Sequence, residues 1–224
     1  MISKAVTYAG ALANGWRDEG WRIMLRVPGR LRREFFGQEG QTSGKQPVLS
    51  ATVVRAGGWS AEEITDLNEI ARNSTQDWLA FVPAQAESEP HMLNYLIQHA
   101  NENPHAAIVY ADEDGPVAGT LARHPIFKPA FNPEMLLAYN YIGFPVVIRR
   151  KSFLELGGLR AKFGAAADHD LWLRAWAAGL NFLRLPMTLV HHKAPIKRTP
   201  RDVMLKAVAA FNMTSRGVRL IGAL

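Results

Sequence analysis

From Val48 to about Lys193 the apolar residues fall in short β-branched runs separated by segments of helical period, and the two kinds alternate. VLSATVV (Val48 to Val54) reads as a strand, Gly57-Gly58 breaks it, and Ser60 followed by Glu62-Glu63 reads as an N-cap opening a helix to about Asn73. The pattern recurs as WLAFVPA (Trp78 to Ala84), a helix with Met92, Leu93, Leu96 and Ile97 on one face, and the strand AAIVYADED (Ala106 to Asp114). Apolar strands alternating with helices predict a largely parallel sheet covered on both faces, whose ligands sit at the carboxyl ends of strands. After AAIVY those residues are Asp112, Glu113 and Asp114.

Further along, a loop punctuated by Pro125, Pro129 and Pro133 leads into the strand FPVVIRR from Phe144, a short helix and GGL at Gly157 to Leu159. A helix with Leu171, Leu173, Trp176 and Ala177 ends near Gly179, and separate strands are expected in LNFLRLP and TLVHH. Beyond Lys193 the chain is basic, with helical spacing between Asp202 and Met213, and no internal repeat appears. The opening stretch to Phe36 sets Trp16, Trp21, Ile23, Leu25, Leu31 and Phe35 among Arg17, Arg22, Arg26, Arg30, Arg32 and Arg33, which predicts two short amphipathic helices. GQEGQTSGKQP (Gly37 to Pro47) has nothing to bury and reads as a linker. The expected division is a basic helical extension at 1–36, the linker at 37–47, one α/β domain at 48–193 and a basic tail at 194–224.

Composition narrows the chemistry. The 224 residues include no cysteine, which removes disulfide scaffolds, thiolate metal sites and cysteine nucleophiles, so any metal must be held by oxygen or imidazole. Net charge is +6, from eight basic against four acidic residues at 1–45, eleven against fifteen at 46–192 and seven against one at 193–224. The basic ends suit a solvated surface or an anionic membrane surface, and no nucleic-acid motif accompanies them. With no apolar run near the ~18 residues of a membrane span and no signal-like start, the expectation is a cytoplasmic protein, peripheral on the inner membrane face if the basic start binds lipid.

Two segments carry candidate chemistry. Asp112 and Asp114 stand at i and i+2, facing one way on an extended chain, where both reach one hard cation such as magnesium or manganese. The alternative is an acidic turn of no chemical consequence. Asp168, in GAAADHDLWLRAWAAG, sits at or just before a helix start and is either an N-cap carboxylate or a general base. His191 and His192 end a strand and point to opposite faces, so at most one meets a given site.

These segments, taken in order, resemble glycosyltransferase family 2, the nucleotide-sugar-dependent GT-A fold, in its bacterial polysaccharide and O-antigen branch. YADEDG (Tyr110 to Gly115) is similar to the family's Y-S-D-E-D segment, and FKPAFNPEMLLAYNYIGFPVVIRR (Phe127 to Arg150) to its F-K-P through N-Y-I-G stretch. LGGLRAKFGAAADHDLWLR (Leu156 to Arg174) resembles its G-G-F and D-x-D-L-x-L-R segment, and LPMTLVHHK (Leu185 to Lys193) its closing motif. The resemblance implies a reduced GT-A-like domain and transfer of a sugar, with inversion, from a nucleotide-sugar donor to a saccharide or lipid-linked acceptor in cell-surface polysaccharide synthesis. It implies further that Asp112, Asp114 and His191 lie near a divalent cation (magnesium or manganese) and the diphosphate, that Asp168 is the catalytic base, and that Asn140, Tyr141, Gly143 and Asp170 line the acceptor side.

The chain departs from the family at its start. The first strand with its P-x-Y-N turn and the second with paired aspartates are absent, and the D-x-D-D that closes the strand matching WLAFVPA is replaced by Val82-Pro83-Ala84-Gln85-Ala86. Those losses set a rival reading beside the enzyme: a degenerate binding or scaffold protein that acts with a partner glycosyltransferase.

Overall fold

The computed structural model describes residues 51–214, apart from 57, 121, 197 and 198 and from the side chains of 212–214. The extension at 1–36 and the linker at 37–47 lie outside the described residues. In chain order the elements are β1 Ala51–Ala56, α1 Ala61–Asn73, β2 Trp78–Pro83, β3 Ala86–Ser88, α2 Met92–Glu102, β4 Ala106–Pro116 and β5 Arg123–Ile126. They continue with α3 Pro133–Ala138, β6 Val146–Arg149, α4 Arg150–Glu155, a 3-10 segment Ala161–Ala166, α5 Ala167–Ala177, β7 Asn181–His192 and α6 Arg201–Thr214.

The strands form one sheet in the order β1-β2-β6-β4-β7-β3, with β5 against β4. β1 is parallel to β2 and β4 to β7, while β6 enters in reverse between β2 and β4, so β1, β2, β4 and β7 share one direction. Alternation along β2 sends Leu79 and Phe81 to the face covered by α1, α4, α5 and α6, and Trp78, Ala80 and Val82 to the face covered by α2. Continuous apolar strands need both faces covered, and here both are. Ser60 caps α1 as its sequence predicts: it accepts from Glu63 N–H at 3.1 Å, and the Glu63 carboxylate accepts from Ser60 N–H at 3.4 Å.

Three features differ from the sequence expectation. LNFLRLP and TLVHH are one strand, β7, because its register against β4 jumps from Ala111↔Leu185 to Asp112↔Thr188 and leaves Pro186 and Met187 in a bulge, where a residue without an N–H is tolerated. The strand holding the acidic segment runs on past Asp114 to Pro116, because β5 pairs with Glu113 to Pro116 and prolongs it. The packed body also runs past Lys193. Helix α6 buries Ala207 and Phe211, and the Phe211 ring stacks on Trp176 of α5 at 5.5 Å. The high basic charge of that region hid an apolar stripe of Val203, Ala207 and Phe211 at helical spacing.

Candidate active site

Strand β4 carries its acidic residues into the interior, with Asp112, Glu113 and Asp114 at 2%, 6% and 7% exposure. Each meets a base from a neighbouring element. Asp112 accepts from Arg184 of β7 at 2.8 Å and from the Lys128 backbone N–H at 2.8 Å. Glu113 lies 3.2 Å from the buried Lys128 ammonium and 2.8 Å from His192 Nε2. Asp114 accepts from Arg123 Nε at 3.0 Å and lies 3.0 Å from His191 Nδ1, whose Nε2 is 2.9 Å from Glu89. The β4–β5 hairpin delivers Arg123 and Lys128 to the same strand, and the parallel register places His191 beside Asp114.

Burial pulls the Glu113 and Asp114 carboxyls upward, but the charges and hydrogen bonds of Lys128 and His192, and of His191 and Arg123, outweigh it and hold both below the ordinary range. The Asp114 hydrogen bond raises His191 above an ordinary imidazole against the opposing effect of burial. His191 and His192 do point to opposite partners, as adjacent strand residues must, and both are engaged. This arrangement does not fit a divalent cation. Both oxygens of Asp112 are occupied by Arg184 and Lys128, Asp114 is held by Arg123 and His191, and among the described residues no three acidic or histidine side chains converge as a metal set. The end of β2, at Val82-Pro83, offers no carboxylate either.

Asp168 sits in a different environment. It occupies the first turn of α5 rather than the cap, which is Ala166. One carboxylate oxygen accepts from Asn140 Nδ2 at 2.7 Å, the other from the His169 backbone N–H at 2.8 Å. The residue is 6% exposed, makes no ion pair among the described residues, and burial pushes its carboxyl up to about 6 despite those two donors. The Asn140 Oδ1 beside it is buried without a hydrogen-bond partner among the described residues. A carboxylate of raised pKa can receive a proton from a hydroxyl near neutrality, and the unsatisfied amide oxygen beside it can accept from a second donor.

The loop 139–143 joins the two centres. Asn140 reaches Asp168; Tyr141 packs its ring on Tyr110 at 6.2 Å and accepts from the Asn132 N–H at 2.8 Å, which makes it a packing residue. Gly143 has a positive φ of 48°, and an added Cβ would lie 2.7 Å from Glu113 Oε1, so it belongs to the acidic strand rather than to Asp168. Asp170, expected on the acceptor side, is a structural ion: it pairs with Arg160 and with Arg174 at 2.9 Å, and Arg174 donates to the Gly158 carbonyl at 2.7 Å, tying α5 to the turn before it. Sequence reading missed Arg184, Arg123 and Lys128. Arg184 had a signal, as the single charge in the apolar run LNFLRLP, and Lys128 stood in the F-K-P motif without being singled out; Arg123 had none, because only the hairpin brings it to β4.

No protein-family model matches the chain. The chain is 33% identical over 115 residues to the O-antigen biosynthesis protein RfbC of Myxococcus xanthus, covering 51% of this chain and 9% of that protein. It is 28% identical over 109 residues to an uncharacterized glycosyltransferase of Haemophilus influenzae, covering 46% of this chain and 37% of that one. Among solved structures, TarS residues 1–349 of S. aureus superposes with a TM-score of 0.50 at 11% identity, covering 68% of this chain and 45% of that one. The fold is a glycosyltransferase fold of the GT-A kind. The reduced GT-A-like domain expected from the sequence motifs is thus what the chain forms, although it spans 9% and 37% of the lengths of those two curated relatives. Among the described residues no helix is long and apolar enough to cross a membrane.

Proposed function

We propose that this chain is a glycosyltransferase domain that moves a sugar from a nucleotide-sugar donor to a saccharide or lipid-linked acceptor in cell-surface polysaccharide synthesis, inverting the anomeric carbon. The observation that carries the reading is the Asp168–Asn140 pair: a buried carboxyl pushed up to about 6, without a counter-charge, in a GT-A-like frame. Above that pH Asp168 is ionised and takes the acceptor hydroxyl proton. The acceptor oxygen bonds to the anomeric carbon as the bond to the nucleoside diphosphate breaks, and a single displacement of this kind inverts the centre. The polysaccharide pathway rests on the name of the Myxococcus relative. No step is routed through a metal, because the carboxylates nearest the strand ends are already taken by arginine, lysine and histidine.

The purified chain, given uridine, guanosine and deoxythymidine diphosphate sugars with an oligosaccharide or polyprenyl-linked acceptor, should form product that Asp168→Asn loses by about 10²-fold or more. Equal turnover in both proteins would overturn the base assignment. The end of β2, bare of carboxylates, favours the rival scaffold reading; turnover that appears only when a complete transferase is added, and that is unaffected by Asp168→Asn, would establish it.

A further inference from the structure

β1 is the outermost strand on its side of the sheet, and among the described residues its second edge pairs with nothing. Between that edge and the outward side of α1 runs a groove lined by Thr52, Val53, Asp66, Glu69, Ile70 and Ser74. Val53 and Ile70 are 43% and 42% exposed, two of the few large apolar side chains that the described residues leave so open. Around them Glu62, Asp66 and Glu69 are exposed, none takes part in an ion pair among the described residues, and they outnumber Arg55, the one basic side chain among the described lining residues. An open sheet edge with an apolar floor is ordinarily covered, and an acidic rim selects a basic cover.

We propose that residues 16–36 of this same chain occupy that groove, setting their apolar side chains on Val53 and Ile70 and their arginines on Glu62, Asp66 and Glu69. Charge is the first argument. The segment interleaves Arg17, Arg22, Arg26, Arg30, Arg32 and Arg33 with Trp16, Trp21, Ile23, Leu25 and Leu31, whereas a second copy of this face would set acid against acid. Tethering is the second. β1 begins at Ala51, Thr52 already lines the groove, and the connecting residues 37–50 are largely Gly, Gln, Ser and Thr in their first half. Fourteen connecting residues reach at most about 50 Å, which holds the segment near the groove at a high effective concentration. The inference is independent of glycosyl transfer, because it rests on the open edge of β1 and the charge around it.

The absence of cysteine gives a clean test on the full chain. Bimane attached at Ile70→Cys is quenched on contact with tryptophan, so Trp16→Phe with Trp21→Phe should brighten it about twofold or more, given a largely bound tethered segment. Asp66→Lys with Glu69→Lys should do the same, and bimane at Lys151→Cys on α4, an exposed site elsewhere, should not respond. No response at Ile70→Cys or at a second label on Val53→Cys overturns the proposal. Quenching that disappears on dilution assigns the groove to a second copy and also overturns it. So does a chain that shows no quenching in solution yet sediments with vesicles of mixed neutral and anionic phospholipid, which would make the segment a membrane element.

Discussion

Asp112, Glu113 and Asp114 lie in one strand and each meets at least one basic side chain, whereas Asp168, just as deeply buried, meets only a side-chain amide and a backbone N–H. Taking a carboxylate out of water costs several kcal/mol unless a counter-charge or a set of donors replaces the water. The β4 segment meets that requirement with Arg184, Lys128, Arg123 and two histidines, and so behaves as a ladder that fastens β4 to β5 and β7. Asp168 is left partly uncompensated, and in the function proposed above it is this group that takes the acceptor proton. The resemblance of motifs had pointed to both segments alike; their surroundings separate them.

Removing one rung of the ladder should cost the fold most. Arg184→Met should destabilise the fold by about 3 to 5 kcal/mol, since it strands the buried Asp112, and a denaturant titration with unchanged midpoint would show that the ladder is not structural. Asp168→Asn should act in the opposite sense. A carboxyl raised from 3.8 to about 6 on folding lends stability that is full below pH 3.8 and is lost as pH rises through 6, so its removal should stabilise the protein at pH 8 by up to about 3 kcal/mol and have little effect at pH 4. Melting curves of the variant that fall below wild type at pH 8 would return Asp168 to a structural role.

A smaller effect belongs to His191, raised in the folded state by Asp114: its contribution is full below the ordinary imidazole value of about 6.5 and fades as pH climbs through the raised one. His191→Gln should therefore flatten the decline of stability above neutrality, measured as melting temperature against pH, and an unchanged slope would remove His191 from the ladder. Asp114, held low, contributes in the other direction, with stability present above 3.8 and lost as acid protonates it. The least effect is expected from manganese alone, which should leave the melting temperature where it was because the acidic strand already has its counter-charges. A clear upward shift abolished by Asp112→Asn would show that the cation displaces Arg184, and would restore the metal reading of that strand.

Periodicity and local chemistry determined the strands of continuous apolar run, the Ser60-capped helix, the alternation of β and α, and the positions of both acidic segments, because those depend on residues within one turn or one strand of each other. The tertiary structure alone decided what surrounds each carboxylate. Arg184 stands seventy-two positions from Asp112, His191 seventy-seven from Asp114 and Asn140 twenty-eight from Asp168, distances along the chain that sheet register and loop closure turn into hydrogen bonds. It also decided that the basic C-terminal region packs as α6 and that Asp170 serves two arginines. The ionisation of a buried carboxyl is set by which charges surround it in three dimensions, and a spacing of i and i+2 in one strand carries no record of what the neighbouring strand will place opposite.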